Sequence, residues 1–440
     1  MRQPMTLVNV GWRGAGGILA IFASMGGLMT TRPDVESTLM PMFLRKLQHA
    51  FYLKLIGFLV KFAPGERHQA FIGSGSSRQL CNHIARKGVQ RVLVVTDKPL
   101  RELGLVEQAV AGLVEAGIDL AYYDGVLPNP TYAQVAEGVA VLRQHNSEAL
   151  FAVGGGSSID CAKIIAASAT SDDNPEDCVG FGKVKHDVLP LYVVPTTSGT
   201  GSEATSGAVI SNNETHQKGV ISGATLLPQA TALDPDLSLG LPPHITAATG
   251  MDALTHAIEA YIGVWERGTR LEDARTSVKL VFDNLARAYH DGSDIEAREG
   301  QAVGSYYGGL AIYKVNVGNV HAIAHHLGGK YGIPHGLANA LVLPHVLEFC
   351  KEEAQSRLAE LALLVGVGSE SDGESQLAHS FIKAVRDLRT EVGIPDHSDL
   401  VRREDYPELS KAAVQEGAAY PVPRLLDDGI VTAILTKITD

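Results

Sequence analysis

The chain has 440 residues, 45% of them apolar and 20% charged, which fits an ordinary globular protein of about two or three domains and excludes a disordered chain. Thirty-seven basic against 49 acidic residues give a formal charge of −12, and no long basic tract offers a surface to nucleic acid. Four cysteines without C-x-x-C spacing exclude a disulfide scaffold and a cysteine zinc cluster and favour a reducing, cytoplasmic setting, which leaves 16 histidines to explain.

Residues 14–29 form a glycine-rich apolar run behind Arg2 and Arg13. It is shorter than the roughly 20 residues a spanning helix needs, so no stable membrane insertion is expected. A small positive region ahead of an apolar one also admits a signal-peptide reading, which the cysteines do not support. Met40, Phe43, Leu44, Leu47, Phe51, Leu55 and Leu59 recur at helical spacing among Arg45, Lys46, Lys54 and Lys61, which predicts a basic amphipathic helix ended by Pro64 and Gly65. Residues 1–66 are therefore set apart as an N-terminal extension, with Met29 and Met40 as alternative starts.

From residue 68 to about 240 strands and helices alternate. Arg91–Thr96, Ile118–Tyr123, Ala149–Val153 and Leu189–Val194 read as strands; Leu105–Ala116, Thr131–Gln144 and Ile159–Ser168 read as helices. Fully apolar strands in this alternation predict a parallel sheet covered on both faces, with ligands beyond the carboxyl ends of the strands.

The turns at those ends carry candidate chemistry. Asp97 follows the first strand, and Leu127-Pro128-Asn129-Pro130-Thr131 follows the second. Gly154-Gly155-Gly156-Ser157 follows the third, directly before a helix, where glycines let backbone N–H groups and the helix N-terminus face a pyrophosphate. The spacing is neither G-x-G-x-x-G nor a P-loop, so a tight turn without a ligand is the competing reading. After the fourth strand comes Pro195-Thr196-Thr197-Ser198-Gly199-Thr200-Gly201-Ser202-Glu203, rich in small hydroxylated residues. Lys218 stands at a turn between two β-like runs, Ala208–Ile210 and Val220–Ile221, where it can serve as a cation beside a phosphate.

The second half reads as helical. On Thr246–Ile262, Asp252 and His256 are four apart and share a face; on Gly318–Leu327, His321 and His325 do the same. His335 follows Pro334 at the head of another helix. Asp252, His256, His321 and His335 together offer one carboxylate and three imidazoles, a donor set suited to Fe²⁺, Zn²⁺ or another divalent first-row ion. The glutamate of H-E-x-x-H is missing, which disfavours a zinc protease. His326 points to another helical face, and His345, among Leu343, Val346 and Leu347, reads as a core histidine.

Five motifs in order resemble the iron-containing (group III) alcohol dehydrogenases. They are Gly154-Gly155-Gly156-Ser157-x-x-Asp160-x-Ala162-Lys163, Pro195–Glu203, Gly250–Tyr261, His321-x-x-x-His325-x-Leu-Gly328 and Pro334–Asn339. The resemblance runs from residue 68 to about 430. It implies a dehydroquinate synthase-like architecture: an α/β dinucleotide-binding domain with a parallel sheet (67–240), then an all-α metal-binding domain (241–440), with the active site between them. It implies reversible hydride transfer between an alcohol and a nicotinamide cofactor, in a homodimer or larger homo-oligomer. Glycerol dehydrogenase, hydroxyacid–oxoacid transhydrogenase and maleylacetate reductase are alternatives of the same fold, and a non-catalytic nucleotide-binding protein is another.

Carried over residue by residue, the resemblance implies Asp252, His256, His321 and His335 as ligands of iron, or of zinc, and His325 as a second histidine near the nicotinamide, read here as a proton relay. Gly155, Gly156 and Ser157 match the pyrophosphate loop. Asn129, Asp160, Thr196, Thr197, Thr200 and Lys218 fall with the cofactor set. Asp97 matches the acid facing the adenosine ribose, where a carboxylate accepts from the 2′-hydroxyl and repels a 2′-phosphate, favouring NAD over NADP.

Overall fold

The computed structural model describes residues 68–439, apart from residues 172, 181, 215–216 and 266–267. The apolar run and amphipathic helix expected over 1–66 lie outside the described residues.

The first half is organised by strands β1 (Gln69–Ile72), β2 (Arg91–Val95), β3 (Asp119–Tyr123), β4 (Ala149–Gly154), β5 (Leu191–Pro195), β6 (Gly207–Ser211), β7 (Lys218–Ser222) and β8 (Ala230–Leu233). Six of them form one parallel sheet in the order β1-β8-β5-β4-β2-β3, and β6 pairs with β7 as an antiparallel hairpin. The sheet therefore gains two strands that periodicity does not reveal. Gln69–Ile72 is only partly buried and Ala230–Leu233 is short and made mostly of small residues, so neither presents an apolar run.

Alternation along the central strands sends Leu93, Val95, Leu150, Ala152 and Val193 to one face and Val92, Val94, Phe151, Val153 and Val194 to the other. Helices α1 (Ser76–Arg86), α2 (Lys98–Glu102) and α3 (Leu105–Glu115) lie on the second face, where Leu80, Ile84, Val106 and Val110 pack. Helices α4 (Tyr132–His145) and α5 (Gly156–Ser168) cover the first with Val135, Val139, Ile159 and Ile165. Each of these fully buried aliphatic side chains contributes about 1.5–3 kcal/mol. The chain leaves β2 toward one face and β4 toward the other, although the two strands are neighbours. That switch opens a crevice at their carboxyl ends, between Asp97 and the glycine turn.

The second half consists of α6 (Pro243–Ile262), α7 (Thr269–His290), α8 (Ile295–Val315), α9 (Asn319–Tyr331), α10 (His335–Cys350), α11 (Gln355–Leu364), α12 (Glu374–Glu391), α13 (Tyr406–Gly417) and α14 (Asp428–Lys437) around one core. Helix α6 begins with proline in its first turn, where no N–H is needed, and is buried along its whole C-terminal half. Asp252, Thr255, His256 and Glu259 are polar positions inside an otherwise apolar stretch that includes Met251, Leu254, Ala257 and Ile258. Among the described residues no helix is long and apolar enough to cross a membrane, and all four cysteines are free.

Candidate metal centre and cofactor cleft

The glycine turn is shaped by the hydroxyl-rich loop packed against it. A Cβ on Gly155 would lie 3.1 Å from Thr197 Oγ1, and one on Gly156 would lie 2.7 Å from Thr200 Cγ2, so the missing side chains let the loop sit this close without shifting. The helix begins at Gly156, three residues earlier than the sequence suggests, which puts the turn itself at the N-terminus of α5. Thr196 is buried and donates its backbone N–H to Gly154 O at 3.0 Å.

Other members of the expected cofactor set lie after β2, after β3, on β7 and in the first turn of α5. Asp97 caps α2, one carboxylate oxygen accepting from Leu100 N at 3.0 Å, and half-burial raises its carboxyl pKa against that bond. Asn129 has a left-handed backbone, and Pro130 O accepts from Ser211 N, which ties this loop to the hairpin. Lys218 opens β7 opposite Ser211 and is exposed, so it stands on a strand and not at a turn. Ser157 is partly exposed in the first turn of α5. Asp160 departs from the expectation of a cofactor contact. Its carboxylate accepts from Ser202 Oγ at 2.6 Å and Val209 N at 2.8 Å, underneath the loop. Beside it, the fully buried Lys163 donates to Ser202 O and Oγ, both at 2.8 Å, and to Gly207 O at 2.6 Å.

The same loop reaches the helical half. A Cβ on Gly199 would lie 2.6 Å from Thr249 Cβ on α6, and Gly201, with φ +61, meets the backbone of Gly309 on α8. Thr249 is one helical turn from Asp252, so the loop beside the glycine turn also borders the histidine cluster.

In that cluster one donor atom each from Asp252, His256, His321 and His335 lie within 4.8 Å of one another. Asp252, His256 and His321 are buried, and the His335 side chain retains 33% exposure, which opens the cluster on one side. His256 Nε2 and His321 Nε2 are 3.1 Å apart; Asp252 Oδ1 is 3.5 Å from His335 Nε2 and 3.9 Å from His321 Nε2. Burial pushes the His321 and His335 pKa values well below the usual imidazole range, leaving neutral rings with free lone pairs. Burial opposes ionisation of Asp252, but the imidazoles, His256 first, and Asn339 hold its carboxyl below the ordinary value.

The hydrogen bonding of the cluster is short of donors. Asn339 Nδ2, with two N–H groups, lies 2.7 Å from Asp252 Oδ1 and 3.2 Å from both His321 Nε2 and His335 Nε2. His256 Nδ1 and Asn339 Oδ1 are buried with no hydrogen-bond partner. Lone pairs of Asp252 Oδ1 and of the His256, His321 and His335 Nε2 atoms converge on one point in a largely buried site, an arrangement that a divalent cation satisfies.

Partners outside the expected set complete the centre. Glu259 accepts backbone N–H groups from Val320 at 2.6 Å and Gly318 at 2.7 Å and lies 2.7 Å from His321 Nδ1. Burial raises its carboxyl pKa to about 7 against the pull of those amides. His325 stacks on His335 with ring centroids 5.3 Å apart and has Nδ1 2.6 Å from Glu416 Oε1. Tyr420 also donates to Glu416, and His326 Nε2 lies 3.0 Å from the other Glu416 oxygen. Burial opposes ionisation of Glu416, and the bonds from His325 and His326 outweigh it, taking its pKa far below the carboxylate range. A signal for Glu259 was available, because it lies on the Asp252–His256 face of a buried helix where a carboxylate needs partners. Glu416, 91 residues from His325, carried none.

Comparison with known proteins identifies the family of the chain. Residues 68–235 match the family described as iron-containing alcohol dehydrogenase, and residues 246–439 match the C-terminal region of the Fe-containing alcohol dehydrogenase family. The chain is 39% identical over 354 residues to the 1,3-propanediol dehydrogenase of Klebsiella pneumoniae, covering 80% of this chain and 92% of that one. It is 37% identical over 372 residues to alcohol dehydrogenase 4 of Saccharomyces cerevisiae, covering 84% and 96%. The chain belongs to the iron-containing alcohol dehydrogenase family. A crystal structure of a 1,3-propanediol oxidoreductase superposes with a TM-score of 0.82 at 36% identity, covering 86% of this chain and 100% of that one. As a member of this family the protein is an alcohol/aldehyde oxidoreductase linked to a nicotinamide cofactor, and membership implies a metal ion as well.

Proposed function

We propose that this iron-containing alcohol dehydrogenase homologue interconverts a primary alcohol and its aldehyde, with NAD in the β2/β4 crevice and Fe²⁺ held by Asp252, His256, His321 and His335. The observation that carries the reading is the convergence of one carboxylate and three imidazoles within 4.8 Å beside the loop that also packs on the glycine turn. When bound, the divalent ion supplies a Lewis acid toward the substrate oxygen.

The chain's own groups do the rest. The glycine turn and the start of α5 would receive the pyrophosphate, with Thr197 and Thr200 alongside and Asn129 and Lys218 contributing from the loop after β3 and from the hairpin. Asp97, with one carboxylate oxygen engaged at Leu100 N, would use the other to accept from a ribose 2′-hydroxyl and would disfavour a 2′-phosphate. Loop contacts at Thr249 and Gly309 tie the glycine turn to the helices around the histidine cluster, so that a bound cofactor and substrate would be held in a set relation for hydride transfer. His325, oriented by Glu416, is the group placed to move the hydroxyl proton outward.

Steady-state assays of the iron-loaded protein with short primary alcohols test the reading. NAD-coupled oxidation and NADH-coupled aldehyde reduction are expected, with NADP at least about tenfold poorer. Turnover with NADP alone would overturn the cofactor assignment. No turnover of any alcohol or aldehyde by folded, metal-loaded protein would overturn the reaction.

A further inference from the structure

We infer that Glu259 is a positioning residue of the metal centre: anchored by the Gly318 and Val320 amides, its carboxylate holds the His321 proton on Nδ1 and keeps Nε2 turned to the metal. The inference rests on the ligand reading proposed above.

His321 can present only one deprotonated nitrogen while neutral. Its Nε2 faces Asp252, His256 and His335, so ligation there requires the proton on Nδ1. His321 is 1% exposed, so that N–H needs a protein acceptor. Glu259 Oε2, 2.7 Å away, is that acceptor.

The carboxylate is placed independently of the ring it orients. Gly318 N and Val320 N are amides at the start of α9, which have no carbonyl of their own helix to pair with. A carboxylate there accepts both and is favoured by the helix dipole. A Cβ on Gly318 would lie 2.8 Å from Glu259 Oε1, so glycine leaves the room this contact needs. Three N–H groups converge on two oxygens, and an amide in place of the carboxylate would point its NH₂ at one of them.

Such partners of metal-bound histidines typically contribute about 10–100-fold in metal affinity. The test measures the Zn²⁺ dissociation constant of the full chain by competition with a chromophoric chelator, for wild type, Glu259→Gln and Glu259→Asp. NAD binding by the metal-free proteins, read from fluorescence, serves as the fold control. Glu259→Gln should weaken Zn²⁺ by about 10–100-fold while NAD affinity stays within about twofold, and Glu259→Asp should recover some of the loss. The ligand-field absorption of the Co²⁺-loaded protein should change in Glu259→Gln, which a remote packing effect would not produce. If Glu259→Gln does not fold, Gly318→Ala takes its place, because its methyl would press on Oε1 and weaken Zn²⁺ by at least about tenfold. Unchanged Zn²⁺ affinity and Co²⁺ spectrum in the folded variant would overturn the positioning role. A wild type that binds neither ion would instead overturn the ligand reading beneath it.

Discussion

Gly336 lies so close to Ala248 that a Cβ on the glycine would come 2.2 Å from the Ala248 carbonyl oxygen. This close approach of α10 to α6 sets His335, the residue before Gly336, against Asp252, one turn beyond Ala248. The backbone crossing thus does for the metal site what the hydroxyl loop does for the glycine turn: glycine removes the spacer that would hold the functional groups apart.

Gly336→Ala should therefore force α10 and α6 away from each other. Overpacking of this kind costs about 1–3 kcal/mol, and the Asp252–His335 separation of 3.5 Å should widen. The expected result is a lower Tm together with at least about tenfold weaker metal binding. Metal titration and thermal unfolding of the same preparation check it; wild-type metal affinity would show that the crossing does not set the site.

Lys163 is the buried cation beneath the cofactor loop. Burial lowers its pKa to about 8, against the pull of Asp160 and Glu203. Lys163→Met leaves the Ser202 and Gly207 carbonyls without their donor and removes the cation 3.9 Å from Asp160 Oδ1. Breaking a buried pair this way costs about 3–5 kcal/mol. Chemical denaturation should show that loss, and NAD affinity should fall because Thr197 and Thr200 are carried on the loop that Lys163 ties down. Loss of stability with unchanged NAD affinity would separate the latch from cofactor binding.

His345 on α10 gives a pH dependence away from the metal site. Burial, with Lys437, Arg389, Arg386 and His397 nearby, lowers its pKa to about 4. Between pH 6.5 and about 4 the unfolded chain takes up a proton there that the folded chain refuses, so this residue's contribution makes stability fall as pH falls through that window. His345→Leu should flatten that section of the curve. Urea unfolding of metal-free wild type and variant at pH 7 and pH 4.5 checks the sign; an equally steep loss in both would exclude His345 as a contributor.

The parallel sheet and the histidine cluster are legible because each follows a local rule. Four apolar strands announce themselves by runs such as Arg91–Val95, and Asp252, His256 and His321 sit on helical faces that period 3.6 predicts. β1 and β8 escape because a short strand at or near a sheet edge needs little apolar content. Asp160 falls with the cofactor residues by sequence because its motif borders the glycine turn, whereas its side chain points under the loop to Ser202. Glu416 and Asn339 are invisible as partners, since nothing local ties a carboxylate on α13 or an amide on α10 to imidazoles on α9. Tertiary contacts between separate helices decide those roles.

The most direct test is the metal content of protein purified anaerobically, for wild type and His256→Ala, by elemental analysis. About one iron per chain is expected in wild type, and loss of that iron in His256→Ala with NAD binding retained. Zinc at the same stoichiometry would contradict the choice of iron but keep the site. A folded wild type that takes up neither Fe²⁺ nor Zn²⁺, or a His256→Ala protein that holds metal as wild type does, would contradict the four-residue metal centre.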